Sequence, residues 1–136
     1  PTLENKQITK FISLSGLLDP SALTQVSDKI SSFLYEKCGW AYFDNKDFEQ
    51  SEKVKSLALV RHADRWTQNT FLTDGNTNTF TKQMEEVTSV FEKAGVKVTK
   101  VDYAEKNAVL NHEYQFDFSN KQAQETYQKL VMFFKE

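Results

Sequence analysis

The C-terminal part of this chain carries its most constraining pattern: two amphipathic helices with two alternating segments between them. Apolar residues recur at helical spacing over 80–94 and again over 120–135, which predicts a helix in each range. Over 96–103 and 109–118 apolar and polar residues alternate instead, as in strands that bury one face. Because only a short turn separates the two alternating segments, they are predicted to pair as an antiparallel hairpin. This order requires a sheet that packs against helices.

The N-terminal part begins its own helix at Asp19-Pro20. Asp caps free backbone N–H groups. Pro is tolerated at the first helical position, because the N–H that it lacks would have no partner within the helix there. The apolar stripe that follows predicts a helix over 20–38, with Gly39 as a left-handed cap. Strands are predicted at 40–44 and 66–72. At 8–14 and 54–62 a strand is preferred, with a short helix as the alternative.

These elements predict a single α+β domain over 1–136. Its two layers would be an antiparallel or mixed β-sheet of about five strands and three helices, at 20–38, 80–94 and 120–135. A ferredoxin-like order with an added strand and helix is one version, and helix, three strands, helix, two strands, helix is another. In size, acidic charge and this second order the chain resembles small type III secretion chaperones. That resemblance implies a homodimer that holds a secreted protein partner.

Composition disfavours several classes of function. The net charge is -2, and Lys and Arg are spread between acidic residues, so nucleic-acid binding is not predicted. No apolar run approaches the roughly 20 residues of a membrane span. Cys38 is the only cysteine, which predicts a reducing, cytoplasmic location. The Lys-, Asn- and Phe-rich composition is compatible with an AT-rich microbial or phage genome.

No cofactor or metal is predicted. The four glycines are isolated, so the chain has no phosphate-binding loop of the known Gly-rich types. Two histidines and one cysteine cannot complete a zinc site at any recognised spacing. Cys38 ends a predicted helix, where a thiolate is disfavoured, and is interpreted as a small core residue. Pro1 could act as an N-terminal amine, but a polar segment surrounds it and favours a frayed terminus.

Two residue pairs are candidates for acid–base catalysis. His62 and Asp64 are two apart and would share one face of a strand, as a base and its orienting carboxylate. His112 and Tyr114 would likewise share the apolar face of the segment 109–118. A small cofactor-independent enzyme using either pair is the alternative function.

The preferred function is that of a non-catalytic protein that binds a protein partner, as an inhibitor, immunity protein, adaptor or chaperone does. The middle of the chain has more aromatic residues than its short strands need. Because Trp, Tyr and Arg are common interface anchors, the excess favours a binding surface. The predicted partner-binding residues are Trp40, Tyr42, Phe43, Arg61, Arg65 and Trp66.

Overall fold

The sheet of this protein has three strands, all parallel. The computed structural model describes residues 7–25 and 29–136. The strands lie in the order β1 (Lys10–Leu14), β2 (Asn69–Thr73) and β3 (Val98–Val101). β1 and β3 fall within segments predicted as strands, and β2 overlaps the predicted strand 66–72. The parallel pairing, however, shows that the predicted antiparallel or mixed sheet of about five strands is wrong.

Helical segments fill most of the remaining described chain. The α-helices are α1 (Lys29–Phe33), α2 (Trp40–Phe43), α3 (Glu52–Lys55), α4 (Thr81–Lys93) and α5 (Lys121–Lys135). Tighter 3-10 turns lie at Pro20–Gln25, Phe48–Gln50, Leu59–Arg65 and Tyr114–Phe116, and a π-helical segment lies at Leu34–Gly39. The predicted helices at 80–94 and 120–135 are confirmed by α4 and α5. None of the described helices is both long and apolar enough to span a membrane.

Helices cover both faces of the sheet, so the fold has three layers and not two. On one face Leu72 packs against Met84, Val87 and Phe91 of α4. On the other face Phe71 packs against Phe133 of α5. Because β2 is buried on both faces, its side chains do not alternate between apolar and polar, as is usual for strands of parallel sheets.

Several predicted elements of the N-terminal half are wrong. The segments 40–44 and 54–62, predicted as strands, are helical, because a short apolar run cannot by itself be told from a buried helical turn. The predicted helix 20–38 is not regular, since Ala22 has a φ of -127° inside the first turn and the later part is π-helical. Residues 26–28 lie outside the described residues. Gly39 is right-handed, with a φ of -63°, and directly precedes α2, so it is not the predicted left-handed cap.

The predicted hairpin of 96–103 with 109–118 is also wrong. β3 pairs with β2 instead, and 109–118 runs as turns with one 3-10 turn. Asn76 explains why this segment needs no strand partner. Its amide group donates to the carbonyl oxygens of Tyr103 and Ala108, and its Oδ1 accepts from the N–H of Leu110. The side chain of Asn76 thus satisfies backbone N–H and carbonyl groups that a hairpin would have paired. Without the hairpin, the chain does not have the element order on which the resemblance to secretion chaperones rested.

Candidate functional site

The carboxyl ends of the three parallel strands meet at one edge of the sheet. Ser15 follows β1, Asp74 follows β2, and Asp102 follows β3. Ligands and reactive groups of parallel sheets gather at this edge, because the loops that leave the strands converge there. The most buried charged group at this edge belongs to the central strand.

Asp74 and His112 form a hydrogen-bonded pair at this edge. His112 Nδ1 lies 3.0 Å from Asp74 Oδ1, with the side chains only 13% and 2% exposed. The carboxylate accepts, so Nδ1 carries a proton, and in the neutral ring the lone pair lies on Nε2. No hydrogen bond of Nε2 is found within the described chain.

The second oxygen of Asp74 is fixed by the start of α4. Oδ2 accepts the backbone N–H of Phe80 at 2.9 Å. The Thr81 hydroxyl lies 3.4 Å from Oδ2 and makes its shorter bond, 2.9 Å, to the carbonyl oxygen of Gly75. The rings of Phe80 and His112 also meet nearly at right angles, with centroids 5.1 Å apart. Both carboxylate oxygens and the imidazole ring therefore have fixed neighbours, so the pair is preorganised.

The loop that carries His112 approaches β2 very closely at Gly75. A Cβ atom at this position would lie less than 3.0 Å from the carbonyl oxygens of Leu110 and Asn111. Glycine is therefore required here for space, since its φ is not positive. The absence of a side chain lets residues 110–112 reach Asp74.

Ser15 anchors the same loop from the end of β1. Its hydroxyl accepts the N–H of Glu113 and donates to Gln115 Oε1, each at 3.1 Å. Ser15 has a φ of 57°, which is strained for a residue with a side chain. Because its oxygen is buried and committed to both bonds, it holds the loop and is not free to react.

Below the pair runs a buried chain of hydroxyl groups. Thr73 Oγ1 donates to the carbonyl of Val101, so the Tyr114 hydroxyl donates to Thr73 at 2.7 Å. Thr126 then donates to Tyr114, also at 2.7 Å. Burial raises the pKa of the Tyr114 hydroxyl above its usual value, although the hydrogen bond from Thr126 lowers it. These three hydroxyl groups connect α5 and the loop that carries His112 to the central strand.

This raised pKa predicts a loss of stability at alkaline pH. Unfolded Tyr ionises near its ordinary pKa of about 10, whereas buried Tyr114 stays protonated. The free energy of unfolding should therefore fall as pH rises above about 10. In Tyr114→Phe the decline should be shallower, although the variant loses about 1 kcal/mol of hydrogen bonding at neutral pH. Denaturant unfolding between about pH 8 and 11 measures this, and parallel curves for the two proteins would contradict it.

The two residue pairs predicted from the sequence, His62 with Asp64 and His112 with Tyr114, show no hydrogen bond between their members in the described chain. His62 lies in the 3-10 turn Leu59–Arg65, and its Nε2 is 2.9 Å from the carbonyl oxygen of Ser56. Asp64 is exposed in the same turn. His112 bonds Asp74, while Tyr114 bonds Thr73 and Thr126. The alternation that placed His112 beside Tyr114 does not exist, because the segment is not a strand.

The predicted partner-binding residues lie in two separate packing clusters. Trp40 and Phe43 pack with buried Phe48, and Tyr42 beside them is 82% exposed. Trp66 packs instead on Phe11 and Phe91. Arg61 and Arg65 are exposed, and Arg61 pairs with Glu52 at 3.7 Å.

Other candidates contribute little to a site. Cys38 is exposed at the rim of an apolar pocket, which overturns its interpretation as a core residue. No cluster of metal ligands is found among the described residues. Pro1 lies outside them.

Asp74 is the residue that sequence reasoning missed. Asp-Gly is a common turn dipeptide, so the sequence alone does not single out Asp74 as a site residue. The available signal was an acidic residue directly after a buried apolar run, with an unassigned histidine downstream.

The chain matches no protein-family model, and no curated protein or solved structure is significantly similar to it. The functional interpretation therefore depends on the geometry of Asp74 and His112.

Proposed function

We propose that Asp74 and His112 are the acid–base pair of a hydrolase that cleaves acyl bonds such as esters. The observation that carries this proposal is the 3.0 Å hydrogen bond from His112 Nδ1 to a buried carboxylate at the carboxyl edge of a parallel sheet. A buried carboxylate bonded to one imidazole nitrogen fixes the tautomer that makes the other nitrogen a base.

In the proposed reaction, His112 Nε2 removes a proton from an attacking water molecule as the water oxygen bonds to the acyl carbon. Asp74 keeps the ring oriented and stabilises the imidazolium that forms. When the acyl–oxygen bond breaks, Nε2 returns the proton to the leaving oxygen. Charge and protons balance over the step, and no cofactor is needed.

The order of the groups along the chain supports the proposal. In α/β-hydrolases the carboxylate follows a strand of a parallel sheet and the histidine comes later in the chain. Asp74 and His112 have this order, although the likeness is one of architecture. Ser15 lies at the same edge, but its committed oxygen argues against a role as nucleophile.

The test compares the two histidines of the chain. In His112→Gln, hydrolysis of p-nitrophenyl acetate should fall by about 10²- to 10⁴-fold, the usual contribution of a positioned acid–base group. Asp74→Asn should lose activity as well, because the ring loses its orienting anion. His62→Gln is the matched control, since His62 bonds only a backbone carbonyl in the described chain, and it should keep the wild-type rate. Circular dichroism checks that each variant is folded.

A wild-type rate in folded His112→Gln would refute hydrolysis by this pair. A second candidate function would then take precedence, the binding of a protein partner through Trp40, Tyr42 and Phe43. It is favoured by the 82% exposure of Tyr42, which lies beside the ring of Phe43. A cytoplasmic location remains part of either proposal and is supported by the single, unpaired Cys38.

A further inference from the structure

The outer edge of β1 carries backbone groups that can pair with another strand. In the described sheet β1 pairs only with β2, on one side. The N–H of Ser15 and the carbonyl group of Thr9 both bond β2, so the odd-numbered residues along this segment face β2. The backbone N–H and carbonyl groups of Lys10, Ile12 and Leu14 therefore point outward, and none of them is hydrogen-bonded within the described chain.

Charged side chains lie along the other outer edge of the sheet but leave this edge open. At β3, Lys100 forms an ion pair with Asp102 at 3.0 Å, and charges on an edge strand deter pairing with another strand. Lys10 is the only charged residue of β1. Its amino group lies over α5 instead, 3.3 Å from the carbonyl oxygen of Phe134 and 5.7 Å from the centre of the Phe133 ring.

An apolar flank of α5 is exposed. Tyr127 and Phe134 are seven residues apart, nearly two helical turns, so they share one flank with Val131 between them. They are 53% and 59% exposed, and the ring of Phe118 lies against Tyr127 with centroids 5.5 Å apart. These four residues are called the α5 band below.

The α5 band lies on the β1 side of the helix. Leu14, at the end of β1, lines the same groove as Tyr127. Lys10, at the start of β1, bonds Phe134. The helix therefore runs antiparallel to β1, and its band follows the open strand edge.

We propose that the open edge of β1 and the α5 band form the interface of a homodimer. The two β1 strands pair antiparallel about a twofold axis at Ile12, which extends the sheet to six strands. Ile12 pairs with Ile12, and Lys10 pairs with Leu14 of the second copy. Every outward backbone group then has a partner, and the two lysines do not face each other. This surface is separate from the proposed catalytic pair and does not depend on it.

A second copy of this chain is the occupant because one rotation covers both features. Since α5 is antiparallel to β1, pairing Lys10 with Leu14 across the axis also places Phe134 beside Tyr127 of the second copy. A strand added by an unrelated protein would cover the edge of β1 but leave the α5 band exposed.

The spacing of the layers agrees with an aromatic band. The helix lies over β2, since Phe133 packs on Phe71. Across the axis the two β2 strands would be about 14 Å apart, three strand spacings. Helices with ordinary side chains pack at about 8–10 Å. The rings of Tyr127 and Phe134 fill the larger distance.

The expected dimer is weak and reversible. Three rings that are about half exposed contribute roughly 300 Å² per copy, against roughly 800 Å² in a standard interface. Sedimentation equilibrium from about 5 to 500 μM covers the range in which smaller interfaces dissociate. In the double variant Tyr127→Lys/Phe134→Lys the dissociation constant should rise at least about tenfold, because four ammonium groups would meet across the axis.

Met132→Lys is the matched control. Met132 is 66% exposed and lies five residues after Tyr127, about 140° around the helix axis, so it faces away from the band. The dissociation constant should stay within about twofold of the wild-type value, since an exposed charge outside the interface has little effect. Circular dichroism checks that each variant is folded.

Amide hydrogen exchange tests the strand pairing without any variant. Exchange at the N–H of Ile12 should slow as the protein concentration rises and the dimer forms. The N–H of Lys100 points outward from β3 and should exchange at a rate that does not depend on concentration.

Four results would each overturn the proposal. The wild type could stay monomeric at about 500 μM, or the double variant could keep the wild-type dissociation constant. Met132→Lys could weaken the dimer as much as the double variant does. Finally, a dimer could form while exchange at Ile12 does not depend on concentration, which would place the interface elsewhere.

Discussion

Gly75→Ala should destabilise the protein and also abolish the proposed hydrolysis. An added Cβ would overlap the backbone carbonyls of Leu110 and Asn111, which cannot rotate away as a side chain could. Overpacking of this kind costs about 1–3 kcal/mol. Because relief requires movement of the loop that carries His112, the 3.0 Å bond to Asp74 should lengthen. Denaturant unfolding and the rate of p-nitrophenyl acetate hydrolysis measure the two effects.

Gly95→Ala is the matched control for this variant. Gly95 has a φ of +82°, and a Cβ there would meet no atom within 4 Å. The substitution should cost about 1–2 kcal/mol from backbone strain but leave hydrolysis unchanged, since Gly95 lies at the far end of α4. If Gly75→Ala kept both wild-type stability and wild-type rate, the close approach of the two backbones would be disproved.

Phe71→Ala should cause the largest loss of stability of any single truncation considered. Phe71 is fully buried on the central strand, and its ring centroid lies 5.5 Å from that of Phe133. Removing a buried Phe ring costs about 3–5 kcal/mol, which is a large part of the roughly 5–15 kcal/mol that holds a domain folded. The free energy of unfolding from denaturant titration measures it.

Phe116→Ala provides the comparison for Phe71→Ala. Its ring is 61% exposed, so truncation should change the free energy of unfolding by less than about 0.5 kcal/mol. Equal losses in the two variants would mean that α5 does not cover Phe71.

The long helices were predictable from sequence, and the pairing of the strands was not. α4 and α5 each carry an apolar stripe over many turns, so local spacing is enough to identify them. The strands also showed as short apolar segments. Which strands pair depends on contacts between residues far apart in sequence, and a pattern read over a few residues cannot contain that.

The same contrast between local pattern and long-range contact holds for the candidate site. His112 stood out as a histidine among apolar residues, but its partner was assigned by an alternation that holds only in a strand. Asp74 precedes Gly75, a dipeptide typical of turns, and in the structure it directly follows β2. Its hydrogen bond with His112 depends on Gly75 and Asn76, which allow a loop about 38 positions later in the chain to pack against it. Only tertiary structure joins the two halves of the pair.

The parallel order of the strands has a consequence for how the chain assembles. Lys10 pairs with Asn69, so 59 positions of sequence separate the paired residues at the start of β1 and β2. Thr70 pairs with Val98, which spans 28 positions. No tight turn within the sheet can start its hydrogen bonding, so a large loop must close before any sheet contact is gained. The newly made chain therefore exposes unpaired strand edges until distant parts have met, and the kinetics of folding are governed by that encounter.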